Sequence, residues 1–125
     1  MKKWEKSPPD LIAHFDRLIP HDPSIERRTM FGYPCAFFSG HMVTGLFGNK
    51  MFVRLPEHER KAIMDKQGAT PLEPVPGRIM KEYVVVPPGL LASDAALKRL
   101  AWISTDALSA NGSSPFLFPG FKKAP

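Results

Sequence analysis

The chain has 125 residues, 43% of them hydrophobic, which is enough for one domain whose core needs neither a disulfide nor a metal. Its single cysteine, Cys35, excludes an intramolecular disulfide and is typical of a reducing compartment. The formal net charge of +5 lies mainly in the two ends, since residues 7–121 carry 12 basic and 11 acidic side chains. The charge therefore gives little support to nucleic-acid binding.

The chain also lacks the apolar segments that direct a protein to a membrane. Residues 1–10 contain no apolar core of a signal peptide. No apolar run approaches the roughly 18 residues of a membrane span. We therefore expect a cytoplasmic protein without a membrane partner.

A first helix is predicted after residue 7. Ser7 precedes Pro8 and Pro9, and Asp10 follows three positions on, a pattern that resembles a capping box. Pro20 ends the helix. Apolar residues recur between these limits at helical spacing, at Leu11, Ile12, Phe15, Leu18 and Ile19. The pattern predicts a helix with one apolar stripe.

Four strands are predicted between residues 25 and 55. Residues 25–30 are typical of an edge strand, Gly32 allows a bend, and Pro34 starts the second strand. Ser39-Gly40 and Gly48-Asn49 stand where two-residue hairpin turns are expected. The segment therefore predicts an antiparallel meander.

With these turns, strict alternation assigns the side chains of the meander to two faces. We expect the apolar face to be the core, formed by Cys35, Phe37, Met42, Thr44, Leu46, Met51, Val53 and Leu55. The other face combines aromatic and cationic side chains, and its candidate interface residues are Phe38, His41, Phe47, Lys50, Phe52 and Arg54. Three interpretations of this predicted mixed face stay open: a protein interface, a platform for single-stranded nucleic acid, or a surface covered by a helix or by the tail.

A second helix is predicted from Pro56 to about Gln67, with Gly68 as its C-terminal glycine. His58-Glu59 suggests a zinc-protease motif, which needs a second histidine four positions after the first. Position 62 is an alanine. The motif is therefore excluded.

The remaining chain predicts a loop, a strand, a helix and a tail. Residues 69–78 are rich in proline and glycine and predict an extended loop, whereas residues 79–86 are typical of a strand. Ser93 begins the last helix, which extends over about 94–109. The tail is unusually rich in aromatic residues, at Phe116, Phe118 and Phe121.

No catalytic or cofactor motif is found in the sequence. Cys35 and His41 are assigned to opposite faces, so they do not form a nucleophile–base pair. The histidines lack the spacing of metal ligands, and the glycines form neither a phosphate loop nor a dinucleotide fingerprint. We therefore expect no enzyme, no cofactor and no metal.

Several motifs carry a family resemblance. Arg28-Thr29-Met30-Phe31-Gly32 precedes a Gly40-x-Met42 hairpin and the strand Met51–Leu55, and further on stand Pro76-Gly77-Arg78 and the run EYVVVP at 82–87. In this order, over about residues 10–110, they resemble the N-terminal domain of the TfoX/Sxy family. The family is named for a regulator of natural competence, which has a second, C-terminal domain without a counterpart here. The resemblance implies a small α+β domain with an antiparallel sheet and flanking helices.

The sequence thus predicts one α+β domain over residues 7–110, in the order α-β-β-β-β-α-β-α, with a sheet of about four to five strands, and a Phe-rich tail over residues 111–125. We interpret it as a non-catalytic interaction or regulatory domain that resembles the N-terminal domain of competence regulators. Its partner would be a second copy of itself or another protein, bound through the mixed face and through Phe116 and Phe118. A nucleic-acid-binding protein is the first alternative, and an enzyme of unknown type is the second.

Overall fold

The computed structural model describes residues 6–19, 23–30 and 32–108. The predicted tail, with Phe116 and Phe118, lies outside these residues. The helices are α1 (Pro9–Leu18), α2 (Glu57–Gln67), α3 (Pro88–Leu91) and α4 (Asp94–Leu108). The strands are β1 (Ile25–Met30), β2 (Tyr33–Phe38), β3 (His41–Phe47), β4 (Lys50–Arg54), β5 (Thr70–Val75) and β6 (Arg78–Val85). The α+β class is confirmed.

The strands form one antiparallel sheet in the order β1-β2-β3-β4-β6-β5. The first four strands make the predicted meander, in which Phe38 pairs with His41 and Phe47 pairs with Lys50. Ser39 and Gly40 both have positive φ, at 54° and 79°, as a type I′ hairpin turn requires. Both predicted hairpins are therefore confirmed.

The sheet contains six described strands, one more than the upper limit of the prediction. The additional strand is β5, in the segment that was predicted to be a loop. Pro71 and Pro74 lie in this strand, and proline cannot donate a hydrogen bond to a neighbouring strand. Because β5 is at the edge and pairs only with β6, its outer side needs no such donors. The prolines therefore led to the prediction of a loop where the structure has an edge strand.

The helices build the main core on one face of the sheet. In the described chain, α4 packs against β3 and β4, α1 packs against β3 and α4, and α2 lies beside β6. The predicted stripe of α1 contributes the buried Phe15 and Leu18, and α4 contributes Leu97 and Leu100. Complete burial of such side chains contributes about 1.5–3 kcal/mol each. This packing holds the sheet in place from the helix side.

The two predicted serine caps have different outcomes. The Ser93 hydroxyl oxygen accepts a hydrogen bond of 3.2 Å from the backbone N–H of Ala96, so the cap of α4 is confirmed. The cap of α1 was predicted wrongly, because the N-cap position is Pro8 and has no side-chain hydrogen bond. The Ser7 hydroxyl is buried and has no partner among the described residues. The two prolines start α1 because their fixed φ already suits a first turn.

Candidate interaction surface

A β-bulge between β2 and β3 changes which side chains face the helices. Phe37 pairs with Met42, whereas the next pair along the ladder joins Ala36 to Thr44. Val43 therefore has no partner on β2. One extra residue in a strand reverses the alternation of the side chains beyond it.

The bulge divides the face that was predicted to be the core. Leu46, Met51, Val53 and Leu55 lie in the main core with the helices, as expected. The assignment of three residues to that core is wrong, because the opposite face holds Cys35, Phe37 and Met42. Their places on the helix side are taken by Ala36, Phe38 and Val43.

The predicted mixed face is consequently not one surface. Phe38 is 7% exposed and belongs to the helix-side core, whereas Phe52 is 1% exposed and lies on the other face. Phe47 is half-buried and packs against both clusters.

The cationic members of the predicted face are also separated. His41 and Lys50 are exposed, each at the start of a strand that follows a hairpin turn. Arg54 is half-buried and forms a 3.6 Å ion pair with Glu82. The structure therefore does not place these cations on one face with Phe38, Phe47 and Phe52.

The observed second face, on the side of the sheet away from the main core, is built by strands alone. Its buried centre consists of Cys35, Met42, Phe52, Leu72 and Tyr83. Its half-buried rim consists of Met30, Phe37, Phe47, Met80 and Val85. In the part of the chain that the structure describes, no helix contributes a residue to this cluster. The second face is therefore the candidate interaction surface.

Gly45 provides the space in which the centre of the second face packs. A Cβ atom at this position would lie 2.7 Å from Cζ of Phe52 and 2.9 Å from Cβ of Cys35. The Phe52 ring thus crosses the β3 backbone where a side chain would otherwise stand. The same ring meets Tyr83 edge-on, with 5.7 Å between the centroids, a geometry that aromatic pairs favour. A glycine inside a strand is typical of a close approach by another group, and Gly45 could have revealed the close packing of Phe52 from the sequence.

Tyr83 joins strands that are not neighbours in the sheet. Its hydroxyl donates a 2.8 Å hydrogen bond to the backbone carbonyl of Met42. This bond connects β6 to β3 across β4, a span of about 9.6 Å for strands about 4.8 Å apart. The hydrogen bond is buried, so losing it would leave a polar group unsatisfied. Tyr83 thereby links β6 to β3 on the second face.

Burial makes the two ionisable groups of the centre resistant to deprotonation. Burial raises the pKa of the Cys35 thiol, and the charge of Arg28 opposes this only in part. Burial likewise raises the pKa of Tyr83, against the charge of Arg54. A thiol with a raised pKa is a poor nucleophile. Cys35 therefore acts here as a small apolar residue, with its Sγ 3.5 Å from the carbonyl oxygen of Arg28.

Comparison with protein families identifies the fold. A family model described as the TfoX N-terminal domain matches residues 16–108, about three quarters of the chain. The chain belongs to this family. The match extends from within α1 to the end of α4 and includes every described strand, so the resemblance found in the motifs is confirmed. A search of curated proteins gives no match to the chain.

Arg28 is an exposed cation beside the rim of the second face in this TfoX N-terminal domain. The Arg28 guanidinium lies over the Phe37 ring, 5.0 Å from its centroid, a distance typical of a cation–π contact. Its Nε atom also donates a 2.7 Å hydrogen bond to the Glu26 carboxylate. The β1 edge of the rim therefore combines apolar side chains with an exposed ion pair.

Tyr83 also borders a cavity between α2 and the sheet. It has a volume of about 240 Å³ and is lined by α2 and β6, with Glu57, Arg60, Lys61 and Lys81 among its side chains. Lys61 pairs with Glu57 at 3.1 Å, and this contact lowers the pKa of the carboxyl group. The lowered pKa makes Glu57 a weak general base. The cavity thus offers charge and apolar surface, and no activated nucleophile among its described residues.

The described residues contain no group of three or more His, Cys, Asp or Glu side chains that could hold a metal ion. None of the helices within residues 6–19, 23–30 and 32–108 has the length and apolar character needed to cross a membrane. The geometry of the site is therefore that of a packed apolar face with a half-buried rim.

Proposed function

We propose that this TfoX N-terminal domain is a non-catalytic, regulatory protein-interaction domain of the cytoplasm, and that its second face binds a partner protein. One observation carries the proposal: the second face is built by strands alone and leaves Met30, Phe37 and Met80 half-exposed around a buried centre. An apolar rim of this kind is typical of interaction sites.

The composition of the rim supports a protein as the ligand. Methionine adapts to irregular apolar partners, and aromatic residues and arginine are enriched in the cores of protein interfaces. Met30, Met80, Phe37 and Arg28 supply these residue types on one side of the sheet. The packed centre around Phe52 and Tyr83 keeps this surface rigid, which lowers the entropy lost on binding.

The test compares two substitutions of exposed or half-exposed apolar side chains on opposite sides of the sheet. Met80→Ser alters the rim, and Ile12→Ser alters α1, where Ile12 is 42% exposed. A partner is first captured with the unchanged chain and purified, and its dissociation constant is then measured by titration calorimetry. We expect Met80→Ser to weaken binding at least about tenfold, because truncation of an interface anchor costs more than ~1 kcal/mol. Ile12→Ser should bind like the unchanged chain.

Equal affinity of all three chains for the partner would contradict a role of the second face. Thermal unfolding of each variant serves as the control for folding, since Met80 is half-buried.

Nucleic acid is the alternative ligand. Two cations near the rim already have protein partners, Arg28 with Glu26 and Arg54 with Glu82, which weakens this alternative. Titration of labelled single- and double-stranded DNA at two salt concentrations tests it, because phosphate contacts make affinity fall steeply with salt. We expect no salt-dependent binding, and a steep salt slope would favour the nucleic-acid function over the proposed one.

A further inference from the structure

The two edges of the sheet differ in their capacity to pair with another strand. Among the described residues, β1 pairs only with β2 and β5 pairs only with β6. The edge strand β5 contains Pro71 and Pro74, whereas β1 has six residues and no proline. Proline at an edge hinders further pairing, and an edge without it is a template for another strand. The edge formed by β1 is thus the one that can accept a strand.

The charges of β1 are self-complementary about Arg27. Glu26 and Arg28 stand on either side of it, and both are exposed. If two copies of β1 pair antiparallel with Arg27 opposite Arg27, then Glu26 of each copy lies opposite Arg28 of the other. Opposite charges in directly facing positions stabilise a strand pair, and like charges destabilise it. Glu26 and Arg28 already form an ion pair within each copy, and this register places each of these pairs beside the opposite charges of the other copy, which adds two favourable pairs between the copies.

The central arginine is accommodated by α1. Its guanidinium donates hydrogen bonds to the Asp16 carboxylate and, over 2.6 Å, to the Ile19 carbonyl. The positive charge at the centre of the register is therefore balanced within each copy. A register shifted by one residue would instead place Arg27 opposite Arg28 of the second copy, with Glu26 opposite Thr29. The shift in the other direction would place Glu26 opposite Arg27, whose guanidinium already binds Asp16 and Ile19 of its own chain. The charge pattern therefore favours the alignment centred on Arg27.

We propose that a second copy of this chain docks on β1, forming a two-fold dimer with one continuous sheet. The second copy would be a further partner of the proposed interaction domain. It would bind at the edge of the sheet and not at the second face. The two proposals therefore fail separately: Met80→Ser should weaken capture of the partner protein and leave the mass of the dimer unchanged.

Charge exchange tests the dimer. Glu26→Arg and Arg28→Glu each replace both cross-strand pairs with repulsive ones, whereas the double variant restores both with reversed polarity. A mixture of the two single variants also restores both pairs, because one chain is then positive at both positions and the other is negative. Sedimentation velocity reports the result, as a species of twice the 14.0 kDa chain mass.

We expect the unchanged chain and the double variant to form dimers, and each single variant to have a dissociation constant about tenfold higher or more. The mixture should regain the dimer mass, which a folding defect in either variant could not produce. Far-UV circular dichroism checks that each variant is folded. The proposal would be overturned if the unchanged chain were monomeric at about 100 µM. A monomer is also the result expected if residues 109–125 of the same chain cover β1. Dimers that are insensitive to both single exchanges would also overturn it.

Discussion

At the scale of single residues, Gly45 determines how the second face packs. The Phe52 ring occupies the volume that a side chain at position 45 would need, and Cys35 closes the same space from β2. Both neighbours are almost fully buried, so neither can move without disturbing other contacts. The requirement for glycine is here one of volume, since Gly45 is not among the residues with positive φ.

We therefore expect Gly45→Ala to destabilise the domain by about 1–3 kcal/mol, the usual cost of overpacking. Phe52→Leu in the same chain should recover part of this loss, because the shorter side chain vacates the site of the clash. Chemical denaturation of the unchanged chain, both single variants and the double variant measures the coupling. Strictly additive effects would contradict direct contact between the two positions.

At the scale of elements, the start of a helix shows what a local pattern does and does not decide. Ser7 and Ser93 both precede helices and are both of the residue type that caps them. Each is followed by an acidic residue within three positions. Only Ser93 accepts the hydrogen bond from the backbone. At Ser7 the adjacent prolines begin the helix instead, and they shift the N-cap position to Pro8.

The two serines form a matched pair for mutation. Ser93→Ala should lower the free energy of unfolding by about 0.5–2 kcal/mol, because it removes an N-cap hydrogen bond. Ser7→Ala should leave it unchanged or raise it, since no helix cap is lost there and a buried hydroxyl without a described partner is removed. Urea titration of the two variants provides the comparison, and an equal loss for both would show that the caps are equivalent in solution.

The elements also show why the sequence predicted the meander correctly and its faces incorrectly. Turn residues have local requirements on φ, so Ser39-Gly40 and Gly48-Asn49 could be located from residue type alone. The bulge at Val43 depends on contacts between strands, and an apolar residue fits either face without a local signal. The strand β5 was missed for a related reason: its prolines are compatible with pairing only because the sheet leaves its outer side unpaired.

At the scale of the whole molecule, burial of Cys35 and Tyr83 links folding to pH. Burial raises the pKa of both groups in the folded chain, whereas the unfolded chain titrates near the ordinary values of about 8.5 and 10. Above these values the unfolded chain loses protons that the folded chain keeps. Because the unfolded state then binds fewer protons, the free energy of unfolding decreases as pH rises.

Stability should therefore decline from about pH 8.5 upwards. Cys35→Ala should flatten the first part of this decline and Tyr83→Phe the part above about pH 10. The midpoints of urea unfolding between pH 7 and 11 provide the measurement. A decline of the same slope in both variants would assign the alkaline sensitivity to other groups.

The prolines of β5 have a consequence for the size of any assembly. A two-fold contact through β1 consumes the same surface on both copies, so what is left exposed at each end of the joined sheet is β5. If that outer edge were also open, each added chain would present a fresh template and growth could continue into a filament. With Pro71 and Pro74 in the edge strand at both ends, growth of the proposed dimer would stop at two chains. Two prolines that are typical of a loop in the sequence would then limit the number of chains in the assembly.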